Sequence, residues 1–195
     1  RDELAHMRSR LISSFLLAIP CLCACVTSSS LFEPELAPKL LFIAPKALGE
    51  RTVEQRLVIR WPGGERSMDA VLEIADGKLQ LLMMTFGMRL MSVEYDGATV
   101  NATRYAPAAP PGERMVNDLL MIAAPLEVLR RTLPENWNVM ESRHGVSLRR
   151  EVARDGVTQV VIDYPANSTD SPWRGRVEFS HRALGYRLIL DSHEL

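Results

Sequence analysis

From Glu50 onward apolar and polar residues alternate with a period of two, the mark of strands that bury one face. Leu57, Ile59 and Trp61 fall on one side and Arg56, Val58 and Arg60 on the other, before Pro62-Gly63-Gly64 turns the chain. Met68, Ala70, Leu72 and Ile74 then oppose Asp69, Val71 and Glu73 as far as Asp76-Gly77, and Leu79, Leu81 and Met83 resume the inward set. Asp96-Gly97 separates Leu90–Tyr95 from Ala98–Arg104. Asp-Gly marks hairpins because both residues tolerate positive φ. This half of the chain therefore reads as a meander of antiparallel strands.

The middle breaks the alternation. Residues 106–112 are rich in Pro and Ala and read as a loop, after which Met115, Leu119 and Ile122 share a helical face flanked by Val116 and Leu120. A second short helix is expected after Pro125, with Leu126, Leu129 and Leu133 inward and Pro134 ending it. Strands return over 137–142, 146–154, 158–164, 174–181 and 186–195, punctuated by Gly145, Asp155-Gly156, residues 165–172 and Leu184-Gly185. Many antiparallel strands interrupted once by two amphipathic helices predict a mainly β fold. Its form is a half-open antiparallel barrel or curved sheet with short helices over the concave face.

The inward residues either pack a core or wall a cavity for a lipid chain. Leu57, Ile59, Leu72, Leu79, Leu81, Met83, Met91 and Val93 are the candidate lining, beneath the helix that carries Leu119 and Ile122. Met83, Met84, Met88 and Met91 fall in one hairpin, where flexible thioethers serve as gap filler or as an adaptable apolar surface. At its tip, Thr85-Phe86-Gly87-Met88, Phe86 and Met88 either reach into lipid or fold back onto the sheet.

The N-terminal segment adds a location. In Met7-Arg-Ser-Arg-Leu-Ile-Ser-Ser-Phe-Leu-Leu-Ala-Ile-Pro-Cys-Leu-Cys-Ala-Cys25, Arg8 and Arg10 form a positive region and Leu11 to Ile19 an apolar one. Leu22-Cys23-Ala24-Cys25 forms a lipobox. The apolar run falls short of the ~20 residues of a spanning helix. The expected organisation is a leader and signal over 1–24, a lipidated tether and Pro-rich edge segment over 25–48, and the β domain over 49–195. All three cysteines lie in the signal, and Cys25 is the expected acylated residue, anchoring the protein to membrane lipid. Val26, where aspartate would favour inner-membrane retention, points to the periplasmic face of the outer membrane. Processing would leave 20 basic against 22 acidic residues, which carries no nucleic-acid footprint.

With anchor, sheet and helical cover in place, the chain resembles the LolA/LolB-like fold and, more narrowly, LolB-like outer-membrane lipoproteins. Within these it is similar to an uncharacterised lipoprotein family associated with aryl-polyene gene clusters. The resemblance rests on the order of elements, the run from Phe86 to Gly97, the helices ending at Asn136-Trp137, and the closing strand from Tyr186 to Leu195. It implies a monomeric protein that lodges acyl chains of a lipoprotein or other lipid, received from a periplasmic LolA-like carrier, and places them in the outer membrane. Phe86 aligns with the apolar loop tip of LolB. The alternative is a structural scaffold lipoprotein of the envelope, with a packed core and no ligand.

Enzyme signatures are missing from the sequence. There is no GxSxG elbow, HExxH, CxxC, P-loop or GxGxxG, so neither catalysis, a metal nor a cofactor is expected. His144, His181 and His193 read as surface or edge residues. Asp69 with Glu73, and Asp163 with Asp170, read as solvated faces, as do Arg149, Arg150 and Arg154 balanced by Glu151 and Asp155.

Overall fold

A computed structural model describes residues 41–107, 109–166 and 171–195. The signal, Cys25 and the tether as far as residue 40 lie outside the described residues, as does Asp170. Among the described residues the strands are β1 Arg51–Trp61, β2 Gly64–Ala75, β3 Lys78–Thr85, β4 Met88–Tyr95, β5 Val100–Arg104, β6 Trp137–His144, β7 Ser147–Arg154, β8 Val157–Tyr164, β9 Gly175–His181 and β10 Tyr186–Glu194. The helices α1 Gly112–Ala123 and α2 Leu126–Thr132 lie between β5 and β6 in sequence. All strands join one antiparallel sheet in the order β5-β4-β3-β2-β1-β10-β9-β8-β7-β6. The mainly β fold, with an open sheet and a helical cover, is as the alternation predicts.

The sheet does not close, since β5 and β6 are its two edges. It must nevertheless curl. Gly112 at the start of α1 sits so tightly on β5 that a Cβ there would come within 2.5 Å of the Ala102 Cβ. At the other end of the helix, the Tyr164 hydroxyl on β8 donates to the Ile122 carbonyl at 2.7 Å, and Arg150 on β7 donates to the Met121 carbonyl at 2.7 Å. A helix of 12 residues is ~18 Å long, whereas a flat sheet would separate β5 from β7 by ~38 Å. Only a strongly curved sheet lets one short helix touch both sides.

Inward positions follow the period of two. Val53 and Leu57 on β1, Met68, Ala70, Leu72 and Ile74 on β2, and Leu79, Leu81 and Met83 on β3 all enter one core with Val116, Leu120, Leu129 and Leu133 from the helices. Trp61 departs from the inward set: it ends β1 exposed, its indole lying over the turn at Gly63, which has no side chain to obstruct it. Of the Pro-rich segment, residues 41–48 are described. This part carries Leu41, Ile43 and Leu48 into the core. Polar groups hold it there, because the Leu41 amide donates to Asn117 Oδ1 at 2.8 Å and the Tyr95 hydroxyl donates to the Leu41 carbonyl at 2.7 Å. Among the described residues no helix is long and apolar enough to cross a membrane.

Candidate functional site

The residues predicted to line a cavity do come together. Leu57, Leu72, Leu79, Leu81, Met83, Met91, Val93, Leu119 and Ile122 are all buried in the single core, and Ile59 is half-buried against it. What they enclose is small. Leu57, Leu81, Leu119 and Ile122 border a void of about 20 Å³ beneath α1, with Met115, Leu188, Leu190, Gln55 and Asp118 completing its wall. Pockets for small molecules start at ~300 Å³, so this space beneath α1 is far too small for an acyl chain as it stands. Leu72, Leu79, Met83, Met91, Val93 and Ile59 pack elsewhere in the core. Met68, Met83, Met91, Met115 and Met121 are all buried there, and unbranched thioethers repack more readily than branched side chains.

A polar centre sits within this hydrocarbon. Asp118, on the inward face of α1, is 2% exposed. Its Oδ2 accepts a 2.5 Å hydrogen bond from the Tyr186 hydroxyl, while its Oδ1 has no hydrogen-bond partner among the described residues. Burial pushes the carboxyl up to about 7, against the lowering effects of the Tyr186 hydrogen bond and the Arg114 charge. Beside Tyr186, at 5.4 Å between ring centroids, lies His181. The expectation of a surface or edge histidine is overturned here, for His181 is 1% exposed. Burial, helped by Arg114 3.4 Å from Nε2, holds its pKa down at about 4. Gln55 is also buried, donating to Ser192 Oγ at 2.9 Å. His144 and His193 are exposed as expected.

Arg150 is a second correction. Instead of joining an exposed basic face it is 6% exposed and points under α1. One guanidinium nitrogen, Nη1, donates to the carbonyls of Met121, Ile122 and Ala124 at 2.7, 3.2 and 3.0 Å, and Nη2 pairs with Glu141 at 2.6 Å. The last carbonyls of a helix have no intrahelical donor and carry partial negative charge, so a guanidinium there satisfies both. Arg149 does lie outward and pairs with Asp163, and Arg154 lies 3.6 Å from Asp155. Asp69 is exposed and pairs with Arg56.

Gln55, Asp118, Arg150 and His181 were all missed as interior residues. Each nevertheless lies on the inward period of its element: Gln55 between Val53 and Leu57, Asp118 three residues after Met115, Arg150 two before Val152, and His181 two after Phe179. Position was the available signal, and residue type concealed it. Among the described residues no cluster of His, Cys, Asp or Glu could hold a metal ion.

The hairpin tip is the other unusual feature. Phe86 is 95% exposed and Met88 64%. Phe86 has φ +48° and Gly87 +74°, the two positive values of a type I′ turn. The turns at Asp76-Gly77 and Asp155-Gly156 share that pattern, with φ +50° at each Asp. Phe86 therefore occupies a position that its two counterparts give to a small polar residue tolerant of the left-handed region. A bulky side chain there costs ~1 kcal/mol of backbone strain, in addition to exposing its ring to water.

The model of a family described as "Protein of unknown function (DUF3261)" matches residues 52–194. The chain belongs to this family. The DUF3261 match runs from β1 to β10 and so takes in the interior, Asp118, Arg150 and Phe86. No curated protein matches the chain. Among solved structures, this DUF3261 chain is similar to the Mycobacterium tuberculosis lipoprotein LppX, at 6% identity over 74% of this chain and 86% of that one, with a TM-score of 0.33. It is also similar to a DUF1329 family protein from Desulfovibrio piger, at 9% identity over 74% and 85% of the two chains, with a TM-score of 0.29.

Proposed function

We propose that this is a non-enzymatic, LolB-like lipoprotein, anchored through acylated Cys25 to the periplasmic face of the outer membrane. It takes acyl chains of a lipoprotein or other lipid from a LolA-like carrier and delivers them to that membrane. An aryl-polyene lipid is one cargo that the family resemblance suggests. The observation that carries the reading is Phe86, an apolar ring held in a strained turn and almost fully exposed at a hairpin tip. Wetted hydrocarbon on a strained turn is retained where an interaction offsets its cost, and burying the ring in a lipid surface does so. The Met-rich core beneath α1 offers the room, provided that the helix lifts from the sheet.

Phe86→Asp tests the role, since Asp is what the equivalent turns carry. The variant is expected to melt no lower than the wild type and to be more stable by up to ~1 kcal/mol of relieved strain, while transferring a fluorescent acylated lipid between vesicles several-fold more slowly. Unchanged transfer, or a marked drop in melting temperature, refutes it. The anchor is tested separately by Cys25→Ser, which should abolish incorporation of labelled palmitate and release the chain from membranes. A mutant that keeps the label contradicts the assignment.

One observation favours a packed envelope scaffold instead, namely the void of only about 20 Å³. Wild-type protein that neither co-purifies with lipid nor transfers it decides for the scaffold.

A further inference from the structure

The void beneath α1 combines three properties that select a ligand group. Its wall is hydrocarbon except for Gln55 and Asp118. Asp118 brings a buried carboxyl oxygen that no donor reaches among the described residues, Tyr186 having taken the other one. Its volume, about 20 Å³, exceeds the ~10–15 Å³ that one oxygen-sized group needs and admits little more. An unpaired buried carboxyl oxygen is unfavourable by ~1–3 kcal/mol, which a donor entering the void recovers.

We infer that Asp118 receives the hydroxyl group of a hydroxylated lipid, whose hydrocarbon body lies between α1 and the β1–β10 part of the sheet. This rests on the acyl-binding reading above and names the ligand class within it. A charged head group is disfavoured because the remaining wall is hydrocarbon, with Leu57, Leu81, Leu119, Leu188 and Leu190 among its members, save for Gln55, which already donates to Ser192 and is too little in exchange for the hydration of a charge. A carboxylate would in addition face Asp118. A hydroxyl both donates and accepts, so it pairs with the carboxylate and with the carboxylic acid alike. Both forms are populated near neutrality, since burial raises this group to about 7. Room for the hydrocarbon comes from parting α1 from the sheet, which opens the void first because Met115, Asp118, Leu119 and Ile122 form its helical wall.

The test uses the full chain in detergent micelles, 1-dodecanol and its isomer methyl undecyl ether, which has the same atoms and no O–H. Occupancy is read by native mass spectrometry over a concentration series. Wild type is expected to bind the alcohol about tenfold more tightly than the ether, a modest discrimination for a site built around one hydrogen bond. Asp118→Leu should bind the two equally. Asp118→Asn, whose oxygen can still accept from Tyr186, turns an amide N–H to the void that either ligand oxygen accepts, so it should lose the preference as well, and it serves as the test if circular dichroism shows that Asp118→Leu is unfolded. Equal binding of alcohol and ether by wild type overturns the hydroxyl site and leaves acyl binding standing, as does an alcohol preference that persists undiminished in both variants. Binding of neither overturns both, and the void is then a site for buried water alone.

Discussion

Burial moves the Asp118 carboxyl and the His181 imidazole in opposite directions, up to about 7 and down to about 4. An unfolded Asp releases its proton near 3.8, so between there and about 7 the folded chain holds the extra proton. The contribution of Asp118 to stability therefore falls as pH rises through that window. An unfolded His takes up its proton near 6.5 while folded His181 resists until about 4, so its contribution falls as pH drops between those values. The two groups are linked through Tyr186 on β10 and Arg114 on α1, which face both. Denaturant melts from pH 4 to pH 7 should show opposite trends. The stability of wild type relative to Asp118→Asn declines with rising pH, and relative to His181→Gln it declines with falling pH. A flat difference in either series shows that the group titrates normally. Neither residue was legible from its type, because sequence patterns assign charged residues to water unless their register is weighed first. Phe86 is the converse case, an apolar residue whose exposure Thr85-Phe86-Gly87-Met88 left open between two readings.

At the scale of elements, strands and turns were legible because they depend on neighbours two residues apart or on local φ, and Asp76-Gly77 and Asp155-Gly156 turn where their chemistry demands. The two helices were legible from Met115, Leu119, Ile122 and Leu129. What completes α1 was not. Its last turn carries no basic residue, and its C-terminal carbonyls are satisfied by Arg150 of β7, beyond the reach of any local pattern. Arg150→Ala removes the donor to the Met121 and Ala124 carbonyls, while Ile122 keeps Tyr164, and takes the ion-pair partner from the partly buried Glu141, so a loss of ~3 kcal/mol in chemical denaturation is expected. Hydrogen exchange should accelerate first at residues 120–124. Lys at this position cannot reproduce the forked contacts and should recover only part of the loss. A variant as stable as the wild type would mean that the contacts are incidental.

The curl of the whole molecule, too, was legible only as a class, since no residue spacing states how far ten strands bend; it follows from what α1 touches at its two ends. The strand order has a consequence for how the protein comes into being. β1 to β5 and β6 to β10 each form a run of local hairpins, but the two runs meet only where β1 pairs with β10, from Val53 opposite Glu194 to Arg60 opposite Arg187. Such distant pairing is slow to form because the intervening chain must be confined first. A polypeptide made with β1 leading therefore cannot seal its sheet until residues 186–194 are available. Until then it remains two separate ribbons, dependent on the last strand to lock them together.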